Sequence, residues 1–172
     1  SDLMLSIINS SKPVIAEVNG VATAAGCQLI ASCDLAYASD KAKFATPGVN
    51  IGLFCSTPMV ALSRSVNKKS AMEMLLTGDL IDAKKACEIG LINNYFNNND
   101  LMKRVFEQAD KISLKPMQTL KIGKKAFYKQ KEMLLEEAYH YTSKVMIENM
   151  LEKDSKEGIS AFLEKRAPNW ES

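Results

Sequence analysis

Several features that mark particular classes of protein are absent from this 172-residue chain. No apolar run reaches the roughly 18 residues that a membrane span needs, and residues 1–11 lack the basic start and long apolar centre of a signal peptide. We therefore expect neither a membrane partner nor a targeting segment in this chain. The four cysteines contain no CxxC pair and have no histidine nearby, so no metal site is expected. They are predicted to be small core residues in a reducing compartment.

An excess of one charge is also absent, since 22 basic side chains face 20 acidic ones for a net charge of +2. A local basic excess is nevertheless formed by Lys111, Lys115, Lys121, Lys124, Lys125, Lys129 and Lys131. A solvated helix face is the usual explanation for such a run, and attraction to a polyanion such as a phosphorylated cofactor is the alternative. Aromatic residues do not alternate with these lysines as a base-stacking platform requires, so we expect no nucleic-acid partner.

The first half of the chain has an α/β pattern. At 47% hydrophobic residues, the sequence can fill the core of one domain. We predict strands over residues 13–18, 34–38 and 43–45, with an Asn19-Gly20 turn after the first. Between the first two strands, residues 24–33 are small enough to form a closely packed helix. Strand, tight turn, short helix and strand are typical of an α/β fold.

Beyond Gly52 the pattern becomes mostly helical. Thr57 is predicted to cap a helix opened by Pro58, and Gly78 to end a helix over residues 70–76. Asp82 is predicted to cap a short helix that precedes a last strand over residues 91–96. Further helices are expected to end near residues 114 and 129, followed by helices over 132–153 and 155–166.

The stretch Ala24-Ala25-Gly26 has a physical property of its own. At a helix start it exposes unpaired backbone N–H groups at the positive end of the helix dipole. An anion or a polarised carbonyl can bind there, and in acyl chemistry each preorganised donor is worth on the order of 3 kcal/mol. Close packing of helix against sheet is the alternative reason for such small residues.

Several separate motifs carry a family resemblance. They are the loops at residues 19–28 and 44–52, the pair Cys33-Asp34, the stretch at residues 71–78 and the ending at residues 157–166. In this order they resemble the crotonase (enoyl-CoA hydratase/isomerase) superfamily, beginning after that family's N-terminal third. The resemblance implies a crotonase-like (ClpP/crotonase) α/β spiral of β-β-α units, here truncated. Residues 1–97 would hold the acyl-CoA site loops, and residues 98–172 a helical oligomerisation region.

Within this family, the resemblance assigns the oxyanion-binding N–H to Ala25 and the two acid/base positions to Gln28 and Gly48. A methyl group at Ala25 would narrow the site if the backbone there requires positive φ. Gln28 can hold a water molecule but cannot take its proton, and Gly48 has no side chain. Since each general acid–base group contributes about 10²–10⁴-fold, standard hydration of an enoyl-CoA is expected to be weak or absent.

Other positions are assigned to substrate binding by the same resemblance. An acyl pocket is expected around Leu53, Phe54 and Pro58. Phe162 and Lys165 are the candidates for contact with the CoA of a neighbouring subunit.

Polar residues near the second loop are weaker candidates. Ser56 is retained as a weak catalytic candidate, while Asn50, Cys55 and Thr57 are more often structural at such positions. Cys55 would need an activating base, and the sequence shows none. His140, the single histidine, is expected at a surface or interface.

Three functions stay open at this point. The first is a mitochondrial acyl-CoA-binding hydratase/isomerase homologue of fatty acid metabolism, with a coenzyme A thioester as its substrate or ligand, no other cofactor, and a homotrimeric or hexameric assembly. The second is a non-catalytic acyl-CoA-binding or oligomer-partner protein. The third is a part of a longer chain that functions only when intact.

Overall fold

The computed structural model of the chain describes residues 1–170, in which strands alternate with helices up to β6 and helices follow. The elements in chain order are α1 (Asp2–Asn9), β1 (Ile15–Val18), β2 (Val21–Thr23), α2 (Ala25–Ser32), β3 (Leu35–Ser39), β4 (Lys43–Ala45), a 3₁₀ helix (Pro47–Ile51), α3 (Ser56–Ser65), α4 (Lys68–Thr77), β5 (Ile81–Asp82), α5 (Ala83–Glu88), β6 (Asn94–Phe96), α6 (Leu101–Ser113), α7 (Met117–Gln130), α8 (Leu135–Leu151) and α9 (Lys153–Glu164). Within these residues, no helix combines the length and hydrophobicity that crossing a bilayer requires.

The chain forms two compact units. The first comprises Ser1–Ile8 and Val14–Ala109, and the second comprises Asn9–Pro13 and the chain from Asp110 onward. The predicted division at residue 97 separates the acyl-CoA site loops from the helical oligomerisation region. It is a division by role and not by compact unit, and it stays a prediction.

Two three-stranded sheets organise the first unit. Strands β1, β3 and β6 form one sheet in the order β1-β3-β6, and all of its pairs are parallel. In the other, ordered β2-β4-β5, β2 pairs parallel with β4 and β5 pairs antiparallel with β4. Strands β2 and β5 were not predicted. The two residues of β5 are too few to show an alternating pattern, and β2 lies in the stretch after Asn19-Gly20 that we assigned to a loop.

The core of the first unit lies between these sheets and the helices that follow them. Cys27, Ala38, Phe44 and Leu62 are fully buried in it. Cys27 and Cys55 are buried, as predicted for core thiols, whereas the other two cysteines are half-buried. The last predicted strand is shorter than expected, because the N–H groups of residues 91 and 92 both bond to the Ala86 carbonyl. That bonding joins them to the end of α5 instead of a strand.

Two of the predicted helix boundaries agree with the structure, and one does not. The Asp82 carboxylate accepts a bond of 2.8 Å from the Lys85 N–H, and Gly78 ends α4 at φ 69°, both as predicted. The prediction that Thr57 caps a helix opened by Pro58 was wrong, because α3 already begins at Ser56. Pro58 therefore occupies the third helical position, where no intrahelical acceptor exists for the N–H that proline lacks.

In the second unit, α9 and the residues after it are joined by charged and polar contacts. Arg166 lies 2.6 Å from the Glu157 carboxylate, which also accepts the Asn169 N–H at 2.8 Å. Beyond them, the Trp170 indole N–H donates to the Leu114 carbonyl at 2.9 Å. Hydrogen bonding by Arg166 lowers the pKa of Glu157 to about 2. These contacts fix the segment that follows α9.

Candidate functional site

The turn from β2 into α2 is built around Ala24. Thr23 pairs with Ala45, and the Ala24 N–H donates to the Ala45 carbonyl at 3.0 Å. Ala24 has φ 46° and ψ −110°, a region that glycine enters easily and alanine rarely. The positive φ that the sequence led us to consider at Ala25 is thus found one residue earlier. Ala25 itself is the first residue of the helix.

A backbone donor at the start of α2, the Ala25 N–H, has no backbone acceptor in the part of the chain that the structure describes. Ala25 is exposed, and its N–H lies in the first helical turn, where no intrahelical acceptor exists. Among residues 1–170 it bonds to no other backbone group. The helix dipole places partial positive charge here and favours a negatively charged or polarised oxygen. Whether this N–H acts as an oxyanion donor is not tested by the geometry, and that role of Ala25 stays a prediction.

Gln28 lies three residues further along α2, on the same face as Ala25. Its side chain is buried, and its backbone carbonyl accepts the Ser32 hydroxyl at 2.8 Å. A carboxamide both donates and accepts hydrogen bonds, but it has no proton-accepting carboxylate. Gln28 can therefore orient a polar partner without acting as a general base.

Gly48 lies in the 3₁₀ helix after β4, in a space with no room for a side chain. A Cβ atom there would lie 2.5 Å from the Leu53 carbonyl oxygen and 2.9 Å from the Cys55 Sγ. The Gly48 N–H donates to that sulfur at 3.3 Å, and the Leu53 N–H donates to the Gly48 carbonyl at 2.9 Å. The loop thus closes on itself where the family resemblance places a carboxylate side chain.

Two thiols lie near this loop. Burial, with a smaller contribution from nearby Cys55, raises the pKa of Cys27 to about 12. The Cys27 thiol is therefore protonated at neutral pH, and a protonated thiol is a poor nucleophile. Cys27 consequently fits a structural role.

The remaining candidates of the second loop differ in exposure. Leu53 and Phe54 are exposed, whereas Pro58 is buried, so only two of the three expected acyl-pocket residues reach solvent. Ser56 is exposed and donates weakly to the Phe54 carbonyl at 3.4 Å. Thr57 and Asn50 are also exposed.

The candidates beyond the loops lie in the second unit. Phe162 is 82% exposed on α9, and exposed Lys165 follows that helix with φ 56°. Their contact with the CoA of a neighbouring subunit stays a prediction. Phe162 also lines a cavity of about 410 Å³, together with Pro116, Thr119, Met150, Asp154, Ser155, Gly158, Ile159, Leu163 and Trp170. His140 is exposed, 3.8 Å from Glu136, as expected for a surface position.

Thr46 is a site-adjacent residue that the sequence analysis missed. It directly follows β4, is fully buried, and its hydroxyl has no hydrogen-bond partner among residues 1–170. An unsatisfied buried hydroxyl costs about 1–3 kcal/mol. The available signal in the sequence was the position of Thr46 just before Pro47, because proline restricts the backbone of the preceding residue and so marks a residue with a fixed conformation. Within the same residues, no group of three or more histidine, cysteine or acidic residues is arranged to hold a metal ion.

Known proteins resemble the chain over its whole length. The profile of the family described as Enoyl-CoA hydratase/isomerase matches residues 1–172. Human mitochondrial enoyl-CoA hydratase domain-containing protein 3 is 51% identical over 170 residues, which make up 99% of this chain and 56% of the relative. The chain thus spans a little over half the length of this relative.

Solved structures give the same result. An enoyl-CoA hydratase from Mycobacterium smegmatis superposes with a TM-score of 0.97 and 48% identity, covering 99% of this chain and 66% of that one. The crystal structure of human enoyl Coenzyme A hydratase domain-containing protein 3 gives a TM-score of 0.94 and 51% identity, with 97% and 66% covered.

Proposed function

The chain belongs to the enoyl-CoA hydratase/isomerase family, and from that premise we propose that it binds acyl-CoA thioesters while catalysing standard hydration weakly or not at all. The observation that carries this proposal is the N–H of exposed Ala25 at the start of α2, which has no backbone partner among residues 1–170 and lies close in sequence to Gln28, which has no carboxylate. A thioester carbonyl that accepts this N–H would be polarised, and negative charge developing on its oxygen would be stabilised.

Proton transfer is the step that this site lacks. Hydration requires a group that removes a proton from water and one that delivers a proton to the substrate. In our proposal Gln28 orients water or the thioester without accepting a proton, and Gly48 contributes no side chain. A site that polarises the thioester carbonyl without transferring a proton can still bind the thioester. It can also catalyse a slow reaction in which other residues act as acid and base.

The proposal extends to the biological setting of the whole protein. A coenzyme A thioester is the proposed ligand of this site, and fatty acid metabolism is the proposed setting. The mitochondrion is the proposed location, because the human relative is named as a mitochondrial protein. We propose a homotrimer or hexamer, with Phe162 and Lys165 near the ligand of a neighbouring subunit. The alternative is a non-catalytic acyl-CoA-binding or oligomer-partner protein, which the two altered acid/base positions favour.

Binding and turnover are tested separately. Isothermal calorimetry of the full-length protein with CoA and a medium-chain acyl-CoA should show binding that the Ala25→Leu substitution weakens by at least about tenfold, because the larger side chain covers the N–H. Ala25→Gly keeps the donor and is the matched control with near-normal affinity. Equal affinity for Ala25→Leu and Ala25→Gly would contradict the assignment of this donor.

Restoring a carboxylate tests the catalytic half of the proposal. Gln28→Glu should raise hydration of a short enoyl-CoA by less than the gain of about 10²–10⁴-fold that is typical of one acid/base group, because the partner group at Gly48 is still missing. The control Gln108→Glu introduces the same charge on α6 and should leave the rate unchanged. A rate gain of about 10⁴-fold from Gln28→Glu alone would show that a second acid/base group is already present. Turnover of a thioester panel by the unmodified protein separates a slow enzyme from a non-catalytic binder.

A further inference from the structure

A lysine stripe on α7, defined here as Lys121, Lys125 and Lys129, is not explained by the acyl-CoA site. These residues recur every four positions along one helix, so they share one face, and all three are exposed. The stripe is about 12 Å long at the rise of an α-helix. It lies within residues 111–131, which contain seven lysines and no acidic residue.

The charge of this stripe is not neutralised within residues 1–170. No carboxylate lies within the 4.0 Å ion-pair distance of any of the three lysines. Lys129 instead lies over the Tyr141 ring at 4.7 Å, a contact that keeps its positive charge. Like charges four residues apart destabilise a helix. The folded chain therefore maintains an unfavourable row of charges that faces solvent.

The chemistry of the stripe favours a diffuse anionic surface. Residues 111–131 contain no arginine, the residue suited to bidentate phosphate recognition, whereas lysine acts as a point charge. An exposed apolar side chain continues the same face of α7, since Met117, one turn before Lys121, is 39% exposed. Lysines next to exposed apolar side chains are typical of helices that lie on a membrane surface.

The same residues fit a nucleic acid less well. Single-stranded binding uses open aromatic rings on which bases stack. The Tyr141 ring is covered by Lys129, and the Phe127 ring packs edge-on against Tyr128 with Lys131 over it.

We propose that the lysine stripe on α7 binds the surface of an anionic phospholipid bilayer. This peripheral contact is independent of acyl-CoA binding at α2, and it replaces our expectation from the sequence that the chain has no membrane partner. Each lysine near an anionic surface raises the partition coefficient onto that surface by about fivefold through this attraction. Salt weakens it within a Debye length of about 8–10 Å.

Vesicle sedimentation of the full-length protein tests the proposal. We expect binding to phosphatidylcholine vesicles that contain about 30% phosphatidylserine, and no binding to pure phosphatidylcholine. The triple variant Lys121→Gln/Lys125→Gln/Lys129→Gln should partition about a hundredfold more weakly. The control Lys68→Gln/Lys69→Gln/Lys84→Gln removes the same charge from exposed positions on α4 and α5 and should stay within a few-fold of wild type. Replacing the three lysines of the stripe with arginines should preserve vesicle binding, because the positive charge is kept. This variant shows whether weaker binding of the glutamine variant comes from lost charge or from lost folding.

Four results would overturn the proposal. They are no binding of the wild type to the anionic vesicles, equal loss in both glutamine variants, displacement from the vesicles by a short DNA duplex that binds more tightly, and a loss of calorimetric CoA affinity in the stripe variant. The last result would assign the lysines to CoA, whereas unchanged CoA affinity with lost vesicle binding supports the bilayer. Failure of the vesicle experiment leaves the proposed acyl-CoA function unaffected.

Discussion

Ala24 holds a backbone conformation that alanine rarely adopts, at the turn that presents the Ala25 N–H. Its φ of 46° is one of two positive values at non-glycine residues among residues 1–170, and the other is at Lys165. The strain is tolerated because strand pairing on one side and α2 on the other determine the direction of the chain. Gly48 shows the opposite case, in which packing excludes a side chain whatever the backbone angle.

We predict that Ala24→Gly stabilises the protein by about 1 kcal/mol, because glycine carries no Cβ into this region. The control is Ala25→Gly, which alters a residue of helical geometry and should cost a few tenths of a kcal/mol. Urea unfolding of the three proteins measures the difference. An Ala24→Gly variant no more stable than Ala25→Gly would show that the turn is not strained at Ala24.

At the scale of elements, α7 and α9 each contain an internal glycine in a different environment. A Cβ added at Gly123 would meet no atom within 4 Å, whereas one at Gly158 would lie 3.2 Å from the Trp170 ring. The α9 glycine thus lets the segment after α9 lie close to its helix, while the α7 glycine has no such packing role.

We expect Gly123→Ala to raise the free energy of unfolding by about 0.5–1 kcal/mol, since alanine has the higher helix propensity. Gly158→Ala should raise the free energy of unfolding by less, or lower it, because the Trp170 indole must move to make room for the new methyl group. Trp170 is the only tryptophan, so its fluorescence should change in Gly158→Ala and not in Gly123→Ala. The prediction fails if both variants gain equally and neither emission spectrum shifts.

Across the whole molecule, charge is unevenly distributed. Residues 111–131 carry seven lysines, which leaves 15 basic against 20 acidic side chains elsewhere. Carboxylates in ion pairs make the stability of the folded chain depend on pH, and Glu157 is such a carboxylate. Its pKa lies at about 2 against an ordinary value of 4.5 because Arg166 stabilises the ionised form.

Since the folded-state pKa of Glu157 is lowered, its contribution to stability is complete above about pH 4.5 and is lost as the pH falls towards 2. We expect Glu157→Gln to weaken the pH dependence of the unfolding temperature within this window. The pair is exposed, so high salt should reduce the same effect. Parallel melting curves for wild type and variant between those pH values would contradict this prediction.

The family resemblance is confirmed over the whole chain. The likeness to enoyl-CoA hydratase domain-containing protein 3, already visible in residues 24–29, 44–50 and 52–58, extends to 50% identity over 170 residues in the rat protein. The expected α/β crotonase fold is likewise confirmed, with a TM-score of 0.97 to a solved family member. The roles of Ala25, Gln28 and Gly48 stay predictions.

The sequence by itself determined the helices, their glycine and aspartate boundaries and the candidate site loops, because capping, helical periodicity and turn chemistry are local properties. Tertiary structure alone decided the rest. Strands β2 and β5 exist only through pairing with β4, and the positive φ lies on Ala24 because strand pairing fixes where the turn bends. Gly48 has no room for a side chain because residues five and seven positions later fold back onto it. Strand pairing depends on where separate segments meet, and the room at Gly48 depends on how its own loop packs; local residue preferences specify neither.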